Sequence, residues 1–201
     1  ELAKKTIKFE QQIMKETVGS QDQVAASIGG FNKIIFKKNN YLNIKKIKRN
    51  KNMERLEKNL ILIYTGINRT AHKIASSYVK KLTNTKKEYI KNIIQHVKLG
   101  EEILSSGNID NFGELLNESW ILKKKLSTSI SNEKIDSLYS RAIKNGALGG
   151  KLLGAGGGGF LLMYMKKEFR KKFFQKNPNI VNIPFKFTTT GTEVIFKNFK
   201  R

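Results

Sequence analysis

A run of small residues, GAGGGG at positions 154–159, limits the possible folds of this chain more than any other feature. Glycine loses more conformational freedom on folding than any other residue, so successive glycines favour a backbone that needs φ > 0 or a very close approach. The letters also satisfy the dinucleotide-binding pattern GxGxxG, which needs a strand before it and a helix after it. Here the sequence predicts a helix before the run and the strand FLLMYM after it, which argues against a Rossmann site.

A Walker A phosphate loop is also excluded, because Asn145 and Leu152 stand where that motif requires Gly and Ser or Thr around Gly150-Lys151. What remains is a loop that can approach another backbone or a phosphate without Cβ clashes, and whose N–H groups form an anion-binding concavity. The alternative is a flexible turn without a ligand.

The order of predicted elements indicates an α+β fold with an antiparallel sheet, because helices are grouped between strands. Helices are predicted over 3–17, in a short segment ending at Gly29-Gly30, over 68–82 and 86–105, after Asn108, after Ser131 or Asn132, and over 166–176. Strands are predicted over 31–36 and 41–47 as a hairpin, over 59–66 and 160–165, and as a pair around Thr190-Gly191. The charged stretch 48–59 is the predicted boundary between two structural units.

The formal net charge of +23, from 39 Lys and Arg against 16 Asp and Glu, admits two interpretations. One is a polyanionic partner such as nucleic acid or an anionic membrane. The other is a composition biased towards Lys, Asn and Ile, which fits segments such as KKNNYLNIKKIKRNKN and the spread of basic residues along the chain. The second interpretation predicts no specific nucleic-acid binding, although phosphorylated ligands would also gain from the positive field.

Composition excludes several other classes. The chain has no cysteine, so it has no disulfide framework or thiolate metal site, and two histidines are too few for an ordinary zinc site. No metal site is therefore predicted. No apolar run is long enough to span a membrane, and the first residues lack the apolar core of a signal peptide. We expect a cytoplasmic protein without a membrane partner.

Two further segments contain candidate functional residues. In Gln21-Asp22-Gln23, the carboxylate of Asp22 is either a helix cap or a group that meets a ligand near Gly29-Gly30. In YTGINR, Thr65 and Arg69 follow a buried strand, where loops often bind substrate. Arg69 would either clamp a phosphate or pair with a surface carboxylate. Trp120 is expected in the core or an interface, and His72 and His96 are expected to be solvated.

Five segments in this order resemble the C-terminal portion of the GHMP kinase superfamily, and within it the sugar 1-kinases such as D-glycero-D-manno-heptose 7-phosphate kinase. They are SQDQVAASIGGFNKIIF, NLILIYTGINRTA, FGELLNESWILKKKLS, ISNEKIDSLYSRAIKNGALGGKLLGAGGGGFLLMY and VNIPFKFTTTGTEVI. The segment KLLGAGGGGFLL is similar to the third sequence motif of that superfamily. The resemblance covers almost the whole chain.

The resemblance implies that residues 1–45 end the N-terminal domain and that 46–201 form a ferredoxin-like C-terminal domain with added helices. It implies an ATP- and Mg²⁺-dependent transfer of phosphate to the anomeric hydroxyl of heptose 7-phosphate, with Asp22 as the catalytic carboxylate. The Gly154–Gly158 segment, through Gly154, Gly156, Gly157 and Gly158, would support the phosphate loop. Gly30, Thr65, Arg69 and Lys151 are the substrate-binding candidates.

Two alternatives remain open at this point. Another GHMP sugar 1-kinase would act on fucose or a hexosamine, and a catalytically silent basic module would bind nucleic acid. The first two motifs of the superfamily, which wrap ATP and supply Mg²⁺ ligands, are expected before residue 1. The 201 residues alone are therefore expected to be inactive.

Overall fold

The computed structural model describes residues 1–37, 41–68, 74–76 and 86–196. They divide into two compact units: residues 1–49 together with 186–196 form unit 1, and residues 50–185 form unit 2. Unit 2 begins inside the charged stretch 48–59. The division into domains at residue 45 stays a prediction, and the compact units place the C-terminal segment with unit 1.

Unit 1 is built from two helices and a two-stranded sheet. Its elements are α1 (Leu2–Lys8), which continues as a π-helical segment (Phe9–Ile13), α2 (Gln21–Ile28), β1 (Asn32–Phe36) and β2 (Leu42–Lys46). The strands pair antiparallel with Ile34 opposite Ile44, as the predicted hairpin requires. The first helix ends earlier than the predicted residue 17: its π-helical continuation stops at Ile13, and Lys15, with a φ of 55°, lies outside the right-handed helical region.

The closing segment of unit 1 differs from the prediction. Residues 184–196 form no strand pair around Thr190-Gly191. Their backbone groups are used elsewhere: the Thr192 N–H donates to the Ala26 carbonyl at 3.0 Å, and the Gly30 N–H donates to the Thr188 carbonyl at 3.1 Å. A hairpin would need the same groups for its own ladder.

Unit 2 contains a four-stranded antiparallel sheet of order β4-β5-β3-β6, and this sheet confirms the predicted α+β class. The strands are β3 (Leu60–Tyr64), β4 (Ala147–Leu152), β5 (Phe160–Met165) and β6 (Val181–Ile183). The helices are α3 (Lys51–Asn59), α4 (Lys87–Ser106), α5 (Asp110–Lys124), α6 (Glu133–Lys144) and α7 (Lys167–Lys176), with a 3₁₀ turn at Thr128–Ile130. Residues 74–76 are also helical.

The sequence-based prediction missed several elements of unit 2, among them α3 and β4. The charged stretch at 48–59 contains α3, which buries Met53 and Leu56 one turn apart and is capped by the Asn50 side chain. The segment ALGGKL is the strand β4, which pairs antiparallel with β5 and has a register shift between Ala147 and Gly149. The GAGGGG run therefore joins two antiparallel strands and does not follow a helix.

The core of unit 2 lies between this sheet and its helices. Trp120 is fully buried, as predicted; its ring centroid lies 6.3 Å from that of Tyr139 and 5.7 Å from the Lys124 ammonium. The core also includes a set of apolar side chains from α6, α7, the 3₁₀ turn and strands β3, β4 and β5: Ile61, Ile63, Ile130, Ile135, Leu138, Ala142, Leu152, Leu161, Met163, Met165 and Phe173. None of the helices in the described ranges is long and apolar enough to cross a membrane.

Candidate functional site

The glycine run forms the turn of the β4–β5 hairpin, and its backbone takes the conformations expected from the sequence. The φ angles of Gly154, Gly156, Gly157 and Gly159 are 66°, 115°, 77° and 89°. This region is strained for residues with a Cβ. The structure confirms that the run supplies positive φ. A Rossmann site needs a helix after its glycines. It stays excluded here, because a strand follows the loop.

The loop packs against the backbone of the 3₁₀ turn. A Cβ on Gly156 would lie 2.8 Å from the Ile130 Cα, and the Gly157 N–H donates to the Ile130 carbonyl at 2.8 Å. The Gly159 N–H donates to the Ile67 carbonyl at 2.9 Å. Two amides of the loop are thus already satisfied within unit 2. An anion held by this loop would have to be bound by its other amides.

A lysine that the sequence analysis did not single out fixes the start of the loop. The Lys123 ammonium on α5 donates to the Gly154 carbonyl at 2.6 Å and to the Leu152 carbonyl at 3.3 Å. A single Lys in the run WILKKKL gives no sequence signal that separates it from its neighbours. Only the packing of α5 along β4 shows that Lys123 reaches this loop.

Lys151 lies on β4, opposite Leu162 of β5. Burial lowers the pKa of the Lys151 ammonium, because desolvation disfavours the charged form. None of the carboxylates in the described residues forms an ion pair with Lys151. A negatively charged ligand close to this amine would offset the desolvation, which is compatible with the predicted substrate-binding role.

Thr65 ties the end of β3 to the glycine loop. It is 4% exposed, its hydroxyl donates to the Gly159 carbonyl at 2.8 Å, and its N–H donates to the same carbonyl at 2.9 Å. These contacts support a role in positioning the loop, whereas direct contact with substrate stays a prediction. Arg69 and His72 lie outside the described residues.

Asp22 occupies the first turn of α2 in unit 1 and is exposed. The N-cap position belongs to Ser20, and no side chain forms a capping hydrogen bond there. The helix-cap alternative for Asp22 is therefore wrong. No hydrogen bond or ion pair joins its carboxylate to another described residue, so the carboxylate is accessible to a ligand; its catalytic role stays a prediction.

The neighbouring Gly29-Gly30 pair packs closely against the closing segment of unit 1. A Cβ on Gly29 would lie 2.1 Å from the Thr190 carbonyl carbon, and one on Gly191 would lie 2.4 Å from the Ser27 carbonyl oxygen. Gly30 is exposed and has a φ of 74°. The structure thus places Asp22 and Gly30 in unit 1. It brings together Thr65 and the glycine loop in unit 2, which also contains Lys151.

The described histidine and acidic side chains give no metal site. His96 was expected to be solvated, but its side chain is only 14% exposed, with Nδ1 2.8 Å from the Ser119 hydroxyl and Nε2 3.5 Å from Glu118. The sequence could not show that α4 turns this residue towards α5. Among the described residues there is no group of three or more His, Asp and Glu side chains that would hold a metal ion.

Comparison with known proteins gives these features a family. Residues 99–178, which include α5, α6 and the glycine loop, match the model of the GHMP kinases C terminal family. The chain contains a GHMP kinase C-terminal domain. The β4–β5 turn lies within the matched residues, and the resemblance found in the sequence is confirmed.

Two relatives extend the match beyond this GHMP domain. A D-glycero-alpha-D-manno-heptose 7-phosphate kinase of Campylobacter jejuni is 32% identical over 198 residues, which are 96% of this chain and 58% of that protein. A crystal structure of a putative sugar kinase from Campylobacter jejuni has a TM-score of 0.70 and 28% identity, and covers 94% of this chain and 55% of that one. The chain therefore spans little more than half the length of each.

A third relative resembles only part of the chain. The bifunctional fucokinase/GDP-fucose pyrophosphorylase of Arabidopsis thaliana is 34% identical over 126 residues, which are 58% of this chain and 12% of that protein. The GHMP sugar kinases are thus the group to which this chain is similar.

Proposed function

We propose that this chain is the C-terminal portion of an ATP-dependent sugar kinase that phosphorylates the anomeric hydroxyl of D-glycero-D-manno-heptose 7-phosphate to the 1,7-bisphosphate. The observation that supports this most is the 32% identity with a heptose 7-phosphate kinase over 96% of the chain. ATP would supply the transferred phosphoryl group, with Mg²⁺ as its usual partner. The described residues contain no cluster of His, Asp and Glu side chains that would hold this metal ion.

Asp22 is the proposed catalytic carboxylate. Its carboxylate is exposed in the first turn of α2, where the N-terminus of the helix attracts negative charge. An ionised carboxylate without an internal partner can accept the proton of a sugar hydroxyl or orient that hydroxyl. Phosphoryl transfer depends mainly on alignment and charge stabilisation, so orientation alone would make a large contribution.

The glycine loop is proposed as a support for the phosphates and the substrate. Amides of the Gly154–Gly158 segment other than that of Gly157 are the donors it would offer, and Lys123 holds the loop at its start. Gly30, Thr65, Arg69 and Lys151 remain the proposed substrate-binding residues. Of these, Lys151 has the clearest physical basis, since a phosphate would compensate its desolvated charge.

A hybrid protein tests the proposed function. The 201 residues replace the aligned portion of the Campylobacter jejuni relative, and phosphorylation of heptose 7-phosphate, fucose and mannose by Mg·ATP is measured. We expect turnover of heptose 7-phosphate by the hybrid and none by the 201 residues alone. A hybrid that melts cooperatively but phosphorylates none of the sugars contradicts the proposed function. A preference for fucose favours the fucokinase type, to which 58% of this chain is similar.

Asp22→Asn in that hybrid tests the mechanism. The change keeps the size of the side chain and removes its charge and basicity, so kcat is expected to fall by about a hundredfold, within the usual range for loss of general-base help. The melting temperature is expected to stay unchanged. Glu88→Gln, which removes an exposed first-turn carboxylate from α4, is the matched control. Retention of most of the kcat by Asp22→Asn would remove the catalytic assignment.

A further inference from the structure

A cavity of about 530 Å³ opens on unit 2 beside α6, where β3 ends and β6 begins. Its lining includes Thr65 and Gly66 after β3, Lys134 and Arg141 on α6, and Lys176 and Asn177 at the end of α7. We call it the basic cavity. A volume of this size lies within the range of pockets that bind small ligands.

Every charged side chain among the described residues lining the basic cavity is positive. Lys134 and Arg141 come from one helix and Lys176 from another, and no described ion pair links any of the three to a carboxylate. Like charges that converge without a counterion repel one another. The general excess of lysine explains many separate surface charges, but it does not explain why three face one concave surface.

Contacts with neighbouring residues position two of these groups, Lys134 and Arg141, at the basic cavity. Gly66 has a φ of 68°, and a Cβ on it would lie 3.3 Å from the Lys134 ammonium, so the ammonium lies against bare backbone. The Arg141 guanidinium donates to the Asn177 side-chain oxygen at 3.2 Å. This bond joins α6 to the segment after α7 and leaves the other N–H donors of Arg141 for a ligand.

The basic cavity is also connected to the glycine loop. Thr65, which lines the cavity, uses both its hydroxyl and its N–H to hold the Gly159 carbonyl. Gly66 follows Thr65 directly, on the cavity side of this contact. A ligand in the basic cavity would therefore lie beside Thr65, the residue whose two hydrogen bonds fix the end of the glycine loop.

We propose that the basic cavity binds the phosphate monoester of a phosphorylated sugar. A phosphate monoester is a compact dianion, and a cavity lined by the fork of Arg141 and by the ammonium groups of Lys134 and Lys176 matches its charge and its acceptor oxygens. The choice of a sugar as the carrier of the phosphate rests on the proposed function. The anion site itself rests on the convergence of Lys134, Arg141 and Lys176.

Isothermal titration calorimetry of the 201-residue chain near physiological salt tests this proposal with three probes: mannose 6-phosphate, mannose and ADP. We expect mannose 6-phosphate to bind and mannose not to bind. Arg141→Gln and Lys134→Gln are each expected to weaken the binding by about tenfold, in keeping with the loss of one charge-assisted contact. Arg141→Lys keeps the charge but loses the fork, and is expected to recover part of the affinity.

Two matched controls remove the same charge outside the basic cavity: Lys144→Gln on α6 and Lys172→Gln on α7. Equal losses from the controls and from Arg141→Gln would overturn the proposal, as would binding that Arg141→Gln and Lys134→Gln leave unchanged. If Arg141→Gln lowers the melting temperature, Lys134→Gln and Lys176→Gln on the folded chain decide the result. Binding of ADP that displaces mannose 6-phosphate and depends on Arg141 would overturn the assignment to a sugar phosphate.

The same variants in the hybrid kinase separate this inference from the proposed function. Failure of the proposed function appears as no sugar phosphorylation while Arg141-dependent binding of mannose 6-phosphate persists. Failure of the cavity proposal appears as phosphorylation of heptose 7-phosphate with a KM that Arg141→Gln and Lys134→Gln do not change. The expected result is a KM raised by about tenfold with a smaller change in kcat.

Discussion

Both units use glycine to bring two backbone segments together, but they do so in different ways. In unit 1, Gly29 meets Thr190 and Gly191, which are far away in the sequence, and a Cβ on Gly29 would lie 2.1 Å from backbone atoms. In unit 2, the loop at 154–159 turns between neighbouring strands. There a Cβ on Gly156 would lie 2.8 Å from backbone, and one on Gly159 would meet nothing within 4 Å.

The difference shows that glycine meets two separate requirements in this chain. One is conformational, since a positive φ strains any residue with a Cβ; the other is steric, since backbone atoms cannot move aside as a flexible side chain can. Gly29 meets both, Gly30 only the conformational one, and Gly191 only the steric one. The loop of unit 2 contains the same gradation within a few residues.

The largest effect is expected from Gly29→Ala. Its φ of 65° and ψ of 173° lie in a region that essentially only glycine occupies, which costs about 1–3 kcal/mol for another residue. The contact with Thr190 adds an overpacking term of about 1–3 kcal/mol. We expect unit 1 to lose protection from hydrogen exchange throughout α2 and the segment 188–192.

Gly30→Ala and Gly191→Ala are the controls for Gly29→Ala, because each introduces only one of its two defects. Each is expected to destabilise unit 1 by less than Gly29→Ala does. Equal protection loss in all three variants would show that strain and contact are not separable at this position.

The next effect is expected from Gly156→Val. The φ of 115° is unfavourable for a β-branched residue, and the new Cβ would press on the Ile130 backbone. Unit 2 is expected to lose about 2–4 kcal/mol of unfolding free energy, from strain and overpacking together. Urea unfolding followed by far-UV circular dichroism measures it. In the hybrid kinase, unchanged kcat and KM for this variant would make the loop a spacer.

Smaller effects are expected from Gly157→Val and, last in the loop, Gly159→Ala. The atom nearest to a Cβ on Gly157 is the Cδ1 of Ile74 at 2.9 Å, the end of a side chain that can rotate away. Gly159 has open space and a φ of 89°, so Gly159→Ala retains only the strain. We expect unfolding midpoints in the order Gly156→Val, Gly157→Val, Gly159→Ala from lowest to highest. A reversed order would contradict the steric argument.

The smallest effect at neutral pH is the titration of a buried tyrosine in unit 2. Burial, together with a hydrogen bond to Asp110, raises the pKa of Tyr164 to about 12. An unfolded tyrosine has a pKa of about 10, so the unfolded chain loses this proton before the folded chain does. The free energy of unfolding therefore decreases as the pH rises from about 10 to 12. Tyr164→Phe is expected to reduce this alkaline loss.

Asp110, which accepts the hydrogen bond of the Tyr164 hydroxyl, makes the free energy of unfolding depend on pH in the acid range. Burial alone would raise the pKa of Asp110, but hydrogen bonds from Lys166 and Tyr164 outweigh it and hold the pKa below its usual value. Its stabilising contribution is therefore present above the unfolded pKa and is lost as the pH falls through the folded pKa. Asp110→Asn is expected to reduce the decrease in unfolding free energy that occurs as the pH is lowered.

The sequence predicted those elements whose pattern reflects burial. β5 and the hairpin of unit 1 are confirmed at or near their expected bounds, because continuous or alternating apolar residues define them. β4 was missed because ALGGKL has neither pattern. Its glycines serve packing instead: a Cβ on Gly149 would lie 2.0 Å from the Gly113 carbonyl oxygen of α5. α3 was missed because only two of its residues face the core.

For the candidate site, residue types were predictable and partners were not. The glycine loop and its positive φ angles followed from composition alone. The bond from Lys123 to the loop and the convergence of Lys134, Arg141 and Lys176 depend on how helices pack on the sheet, which no local pattern records. Asp22 was ambiguous between cap and ligand contact until the helix start placed Ser20 at the cap position.

The position of Trp120 has a spectroscopic consequence. It is the only tryptophan of the chain, and it lies fully buried in unit 2 beside Tyr139 and the Lys124 ammonium. Its indole fluorescence therefore reports on one of the two units without any engineered label. Emission is expected to shift to longer wavelength when unit 2 opens and to stay constant when unit 1 alone unfolds, so the unfolding of unit 2 can be followed separately within one intact chain.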